Sequence, residues 1–184
     1  MLVKTFEPWK IQITKINLAD SVDLEGIASE IHALHCASPR DSASPYGVTK
    51  EEFPLICALR DGIITTAVEA YCLESLGVVP EDLTIDTFGK WFEKGKNLGP
   101  HLHGNSCVTS VFYPYDYESG MTLHDPRFNA CRGFSRRIRD THFGDMYVNP
   151  QAGDLWIMPS YVMHNVPPVT EDLRVSLIND FHFV

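Results

Sequence analysis

The chain has 184 residues, a formal net charge of −9 and a pI near 5.3, with 44% hydrophobic and 21% charged residues. Such length and composition fit one globular domain, 1–184, with a sizeable core. The acidic balance argues against a general nucleic-acid or anionic-membrane binder, and no apolar run approaches the ~20 residues of a transmembrane helix.

In chain order, residues 1–8 lack the basic start, apolar run and small-residue cleavage site of a signal peptide, so a cytoplasmic protein is expected. The alternation from Trp9 to Ile16 predicts a strand. Asp20 and Ser21 offer an N-cap for a helix over about 22–36, with Leu24, Ile27, Ile31 and Leu34 at helical spacing. Residues 37–47 read as a loop. Thr49 and Glu52 suggest a capping box for a second helix, which runs to about Leu76 and stops at Gly77. Its expected core stripe is Phe53, Ile56, Leu59, Ile63 and Val68, and Pro54 suits its first turn. The five cysteines (Cys36, Cys57, Cys72, Cys107, Cys131) are odd in number and scattered, which fits reduced structural thiols.

From Leu83 the pattern turns to β, with strands expected over 83–92, 106–115, 120–124, 145–148, 154–158, 162–166 and 173–182. Short strands separated by Gly/Pro turns predict an α+β, mainly β fold. Its core is a jelly roll or double-stranded β-helix over 81–184; residues 1–80 give a strand and supporting helices, and the helices pack on one face of the larger sheet. The least regular stretch, 126–144, carries Arg127, Arg132, Arg136, Arg137 and Arg139. It reads as a solvated loop or as a lid that recognises an anionic or polar substrate.

Chemistry concentrates in three places. His101 and His103 share one face if their segment is a strand, because side chains alternate. His164 follows in a later strand-like stretch, and the three can hold a metal between two strands. Neutral imidazole suits Fe, Zn, Cu and Ni, so ligand type alone does not choose the metal. Arg174 and Ser176 share a face of the last strand, opposite Val175 and Leu177. An arginine on a half-buried strand needs an anionic partner, either a carboxylate ligand or Asp172 or Glu171.

These pieces together resemble the 2-oxoglutarate/Fe(II)-dependent oxygenases. More narrowly, they resemble a microbial and phage branch with His-x-His in place of His-x-Asp. The resemblance rests on His101-Leu102-His103, the apolar strand 108–113, Asp125-Pro126-Arg127, Pro150 to Gly153, Pro159-Ser160, His164 to Pro167, and Arg174-Val175-Ser176. It covers roughly residues 85–184. It implies Fe(II) held by His101, His103 and His164, with 2-oxoglutarate paired to Arg174 and Ser176. O2 would be the second co-substrate, with succinate and CO2 as products, and a primary substrate would be hydroxylated. That substrate is open among peptide, amino acid and metabolite, as is the oligomeric state.

Alternatives stand beside this reading. Asp125 could replace one of His101 and His103 as ligand, although its Asp-Pro turn gives it another purpose. Tyr113 could donate its hydroxyl to the co-substrate, as could Tyr115, or both could be core. A cupin-type metal dioxygenase without 2-oxoglutarate also uses His-x-His and a distal histidine, but usually adds a glutamate that residues 104–111 lack. A non-catalytic jelly-roll binding protein is the third possibility. His32, His35, His142 and His182 read as ordinary polar residues, His124 is open, and Trp91, Phe92 and Trp156 read as core.

Overall fold

Alternating apolar residues in the C-terminal half build two antiparallel sheets that face one another. A computed structural model of the protein describes residues 11–37, 48–127 and 131–183. The strands are β1 (Thr14–Asn17), β2 (Leu83–Glu93), β3 (Leu98–His101), β4 (Val108–Tyr113), β5 (Met121–Leu123), β6 (Met146–Val148), β7 (Asp154–Pro159), β8 (His164–Val166) and β9 (Leu173–Phe183). One sheet has the order β1-β7-β4-β9-β2 and the other β3-β8-β5-β6. This is the expected jelly roll.

The central strands are buried on both faces, and their alternation sorts two cores. Phe112, Leu155, Ile157, Val175, Leu177 and Phe181 face the helices. Val111, Tyr113, Trp156, Met158 and Ile178 face the space between the sheets. Trp156 is therefore core, as expected.

The helices are α1 (Leu24–Ala37), α2 (Pro54–Ala58), α3 (Thr65–Leu76) and α4 (Arg136–His142), with a π-helical segment, Leu59–Ile64, joining α2 to α3. Helix α1 lies on β2 and β9 of the larger sheet. It can approach closely because Gly89 has no side chain: a Cβ there would sit 2.7 Å from the Ile31 carbonyl. Among the described residues, no helix is long and apolar enough to cross a membrane.

Several local expectations are corrected. The first strand is shorter than 9–16: β1 begins at Thr14, and Trp9 and Lys10 lie outside the described residues. Asp23, not Asp20 or Ser21, caps α1, its carboxylate accepting from the Gly26 amide at 3.0 Å. The loop read over 37–47 falls almost wholly outside the described residues.

Thr49 and Glu52 do not cap a helix, since α2 starts at Pro54 after Phe53. Its first amides are satisfied from a distance instead. The Glu30 carboxylate accepts from Leu55 N at 3.1 Å and Ile56 N at 2.9 Å, placing an anion where helix dipoles favour one. The π segment then shifts the helical register, so Ile64 is fully buried where Ile63 was expected, and Ile63 only packs at the edge of the core. Gly77 ends α3 in the left-handed conformation, φ 74°, as its position predicts. Within 126–144 the loop expectation is also corrected, because α4 forms there.

Candidate metal centre

Strands β3 and β8 are neighbours, and their register sets His101 directly opposite His164. His103 does not share the strand of His101. β3 ends at His101 and the chain leaves the sheet before His103, which corrects the single-strand geometry. His103 is held from the loop instead: its amide donates to the Ser160 carbonyl at 3.1 Å, and Ser106 Oγ donates to its carbonyl at 3.0 Å. The three rings still converge, with one candidate ligand atom from each within 4.8 Å of the others.

Each imidazole is turned by a partner on Nδ1. His101 Nδ1 lies 2.9 Å from the Gly99 carbonyl, and His164 Nδ1 lies 2.9 Å from the Val162 carbonyl. His103 Nδ1 lies 2.8 Å from Asp180 Oδ1. Carbonyl and carboxylate oxygens only accept, so all three Nδ1 atoms donate, which leaves Nε2 as the ligand atom of each ring. Nε2 of His103 and Nε2 of His164 stand 3.3 Å apart. Burial pushes His164 down to about 4 and lowers His101 as well, which keeps both neutral near pH 7. A cation shared by the rings would take the lone pairs that Nε2 offers at that distance. The donor set therefore fits a divalent transition metal.

The same cavity, about 40 Å³, is lined by the three histidines, Tyr113, Arg174 and Ser176. Arg174 is 2% exposed and Ser176 1%. Arg174 Nη2 donates to the Tyr113 hydroxyl at 3.0 Å, while its Nε is buried with no partner among the described residues. Neither acid that could have paired with Arg174 does so. Glu171 is bound by the Glu118 and Ser119 amides, and Asp172 lies 3.7 Å from Lys94. A buried guanidinium without a carboxylate is costly and calls for an anionic ligand.

A 2OG-Fe(II) oxygenase family profile matches residues 89–180, half of the chain. The chain belongs to that 2OG-Fe(II) oxygenase family. It is 33% identical over 129 residues to a PKHD-type hydroxylase of Aliarcobacter butzleri, an alignment that covers 68% of this chain and 54% of the relative. The chain thus spans about half the length of the curated relatives it matches.

Among solved structures, a Trichoplax adhaerens prolyl hydroxylase in complex with a hypoxia inducible factor peptide fragment superposes with a TM-score of 0.66 and 13% identity, covering 93% of this chain and 83% of that one. HygX from Streptomyces hygroscopicus, with nickel and 2-oxoglutarate bound, gives 0.59 and 16%, covering 94% and 82%. At these identities the likeness establishes the fold.

Within this oxygenase-family chain, other expected residues fall elsewhere. Asp125 is outside the histidine cluster. Its carboxylate takes the Arg127 side chain (Nε at 2.9 Å) and the Gly144 amide at 3.2 Å, and Arg127 holds it down at about 2. Tyr115 also lies outside, donating to Glu25 at 2.9 Å. His32 packs against Trp91, and His182 sits between Asp86 and the Asn105 carbonyl, both ordinary polar roles. His124 binds Asp145 at 3.0 Å on the wall of a second cavity of about 670 Å³, with Pro100, Arg139, Phe143, Tyr161 and Met163 also lining it.

Three residues of the centre escaped the sequence reading. Phe92, read as core, and Lys90 line the small cavity, and Asp180 supports His103. The signal was parity: Phe88, Lys90 and Phe92 alternate on β2, and Asp180 continues the face of Arg174, Ser176 and Ile178 on β9.

Proposed function

We propose that the chain is a non-heme Fe(II)- and 2-oxoglutarate-dependent dioxygenase, with hydroxylation as its outcome. One observation carries this reading. One possible ligand atom from each of three imidazoles converges in the same cavity as a buried arginine that has no carboxylate partner among the described residues. In this proposal His101, His103 and His164 hold Fe(II) through Nε2.

Arg174 and Ser176 receive the far carboxylate of 2-oxoglutarate, the guanidinium as a charged donor and the serine hydroxyl as a second. Tyr113 orients the guanidinium through its hydroxyl, and burial raises the Tyr113 pKa, so the phenol stays protonated. Phe88, Phe92 and Val111 wall the cavity and keep water from it. Bound iron supplies the activation of O2, and the balanced outcome is substrate–H plus 2-oxoglutarate plus O2 giving substrate–OH, succinate and CO2. The protein residues bind, orient and desolvate; no separate general base is needed.

The primary substrate is a peptide, an amino acid or a metabolite, for which the cavity beside His124 offers a place next to the neighbours of two ligands, Pro100 and Met163. The hydroxylase names of the relatives favour hydroxylation over other oxidations. The protein is further proposed to be cytoplasmic and to work as one domain. A cupin-type site without 2-oxoglutarate would leave Arg174 without a ligand.

The test is anaerobic titration of the Fe(II)-loaded protein with 2-oxoglutarate, monitoring the visible metal-to-ligand charge-transfer band. A band in wild type that fades in Arg174→Ala supports the proposal. Iron binding without a band overturns the 2-oxoglutarate assignment in favour of the cupin-type reading, and absence of iron binding overturns the enzyme reading.

A further inference from the structure

The triad usual for this chemistry is two histidines and one carboxylate. Three neutral imidazoles bring no charge to a divalent ion, and Asp125 is committed to Arg127. Yet a carboxylate stands one ring away. Asp180 is 8% exposed, and its Oδ1 and Oδ2 lie 2.8 and 2.9 Å from His103 Nδ1. Among the described residues, no lysine or arginine pairs with it, so His103 is its charged-group neighbour within a buried setting.

Its other contact is neutral: Thr109 Oγ1 donates to Oδ1 at 2.8 Å. Thr109 is in turn 2.9 Å from Ser160 Oγ, which Ser106 Oγ approaches at 2.7 Å. The carboxylate is thus held rigidly and aimed at the imidazole, on the side of the ring opposite the nitrogen that would hold a cation.

We propose that Asp180 is the displaced carboxylate of this metal centre, a positioning residue that acts through His103. It fixes the Nδ1–H tautomer, raises the basicity of Nε2, and supplies from outside the ligand set the negative charge that the His-x-His motif removed. The proposal rests on the metal-site reading above. It goes further, because it assigns a role to a residue outside the three ligands.

The experiment compares four folded proteins by anaerobic Fe(II) titration and by Co(II) absorption spectra: wild type, Asp180→Asn, His103→Asp, and the double variant. Far-UV circular dichroism of the metal-free proteins verifies the fold, and Thr109→Val reports on the hydrogen-bond network alone. Asp180→Asn keeps the side-chain shape and one acceptor oxygen while it removes the charge. It is expected to weaken Fe(II) and Co(II) binding by roughly 10–100-fold.

His103→Asp places a carboxylate directly in the ligand set beside Asp180, so in that background Asp180→Asn is expected to cost nothing or to strengthen binding. A merely structural Asp180 would give the same loss in both backgrounds. Equal losses, or wild-type affinity in Asp180→Asn, overturn the proposal while leaving the three-histidine site intact. A wild-type protein that binds neither metal overturns the site and this inference together.

Discussion

Arg174 decides between a centre that takes a carboxylate co-substrate and one that does not. Its Nη2 is held by Tyr113 and its Nε is buried without a partner among the described residues, so the fork is preset for an anion. Arg174→Ala is expected to raise the 2-oxoglutarate requirement by about 2 kcal/mol or more, roughly 30-fold in apparent KM. Succinate formation as a function of 2-oxoglutarate measures this, and an unchanged dependence in a folded variant sinks the assignment.

Asp125 sits at the same scale with the opposite role, clasping Arg127 and Gly144 rather than metal. Asp125→Ala is therefore expected to leave Fe(II) affinity unchanged, as checked by the anaerobic titration. Its folded pKa, about 2, lies below the ordinary 3.8, so the unfolded chain binds the proton first as pH falls. The clasp's contribution is complete above about 3.8 and is lost on descent toward 2. Protection of the Gly144 amide, its hydrogen exchange relative to the intrinsic rate at each pH, should fall over that window and stay constant between pH 5 and 7.

At the scale of elements, the helical layer depends on a contact between two helices. Glu30 on α1 accepts the first free amides of α2, which has no capping side chain of its own. Removing it leaves two amide donors unpaired at a partly buried helix start. Glu30→Ala is expected to lower stability by about 1–2 kcal/mol in urea unfolding, the scale of a lost N-cap. The π segment after α2 explains why Ile64 rather than Ile63 enters the core: its i→i+5 hydrogen bonds take in one more residue than α-helical ones and rotate everything that follows. In the sheets, β8 contributes only three residues, but its register against β3 and β5 sets His164 beside His101 and Leu123. The site is thus held by strand pairing on one side and by the loop contacts of His103 on the other.

For the whole molecule, metal binding at the proposed site would be coupled to folding, because the three histidines meet only when β3 pairs with β8 and the loop of His103 docks on Ser160. Fe(II) at about 100 times its Kd is expected to stabilise the fold by about 2.7 kcal/mol, visible as a rise in anaerobic Tm. His164→Ala is expected to abolish that rise, and a variant that keeps it would place the metal elsewhere.

Much of this architecture was legible in the chain itself. Period-two apolar runs marked β2, β4, β7 and β9 within a few residues, and Gly77 marked the end of α3, because these signals are local and strong. The histidines, Arg174 and Ser176 stood out because metal and anion chemistry admits few residue types. What stayed hidden depends on contacts between distant segments. β3 is too short and too Gly/Pro-rich to announce itself, Glu30 caps a helix more than twenty residues away, and α4 lies in a stretch with no buried residue to give it a period.

Residue types and alternation by themselves determined a mainly β chain carrying three metal-seeking imidazoles and an arginine on the inner face of its last strand. Only the tertiary structure decided that His103 reaches the cluster from a loop, that Asp125 belongs to a different clasp, and that Arg174 meets no carboxylate among the described residues. It also brought the Asp180 carboxylate behind His103, across the whole width of the core domain in sequence. The physical reason is that side-chain alternation follows from backbone geometry and is written locally, whereas charge pairing is settled only when the two sheets close and each buried group meets its partner or is left waiting for one.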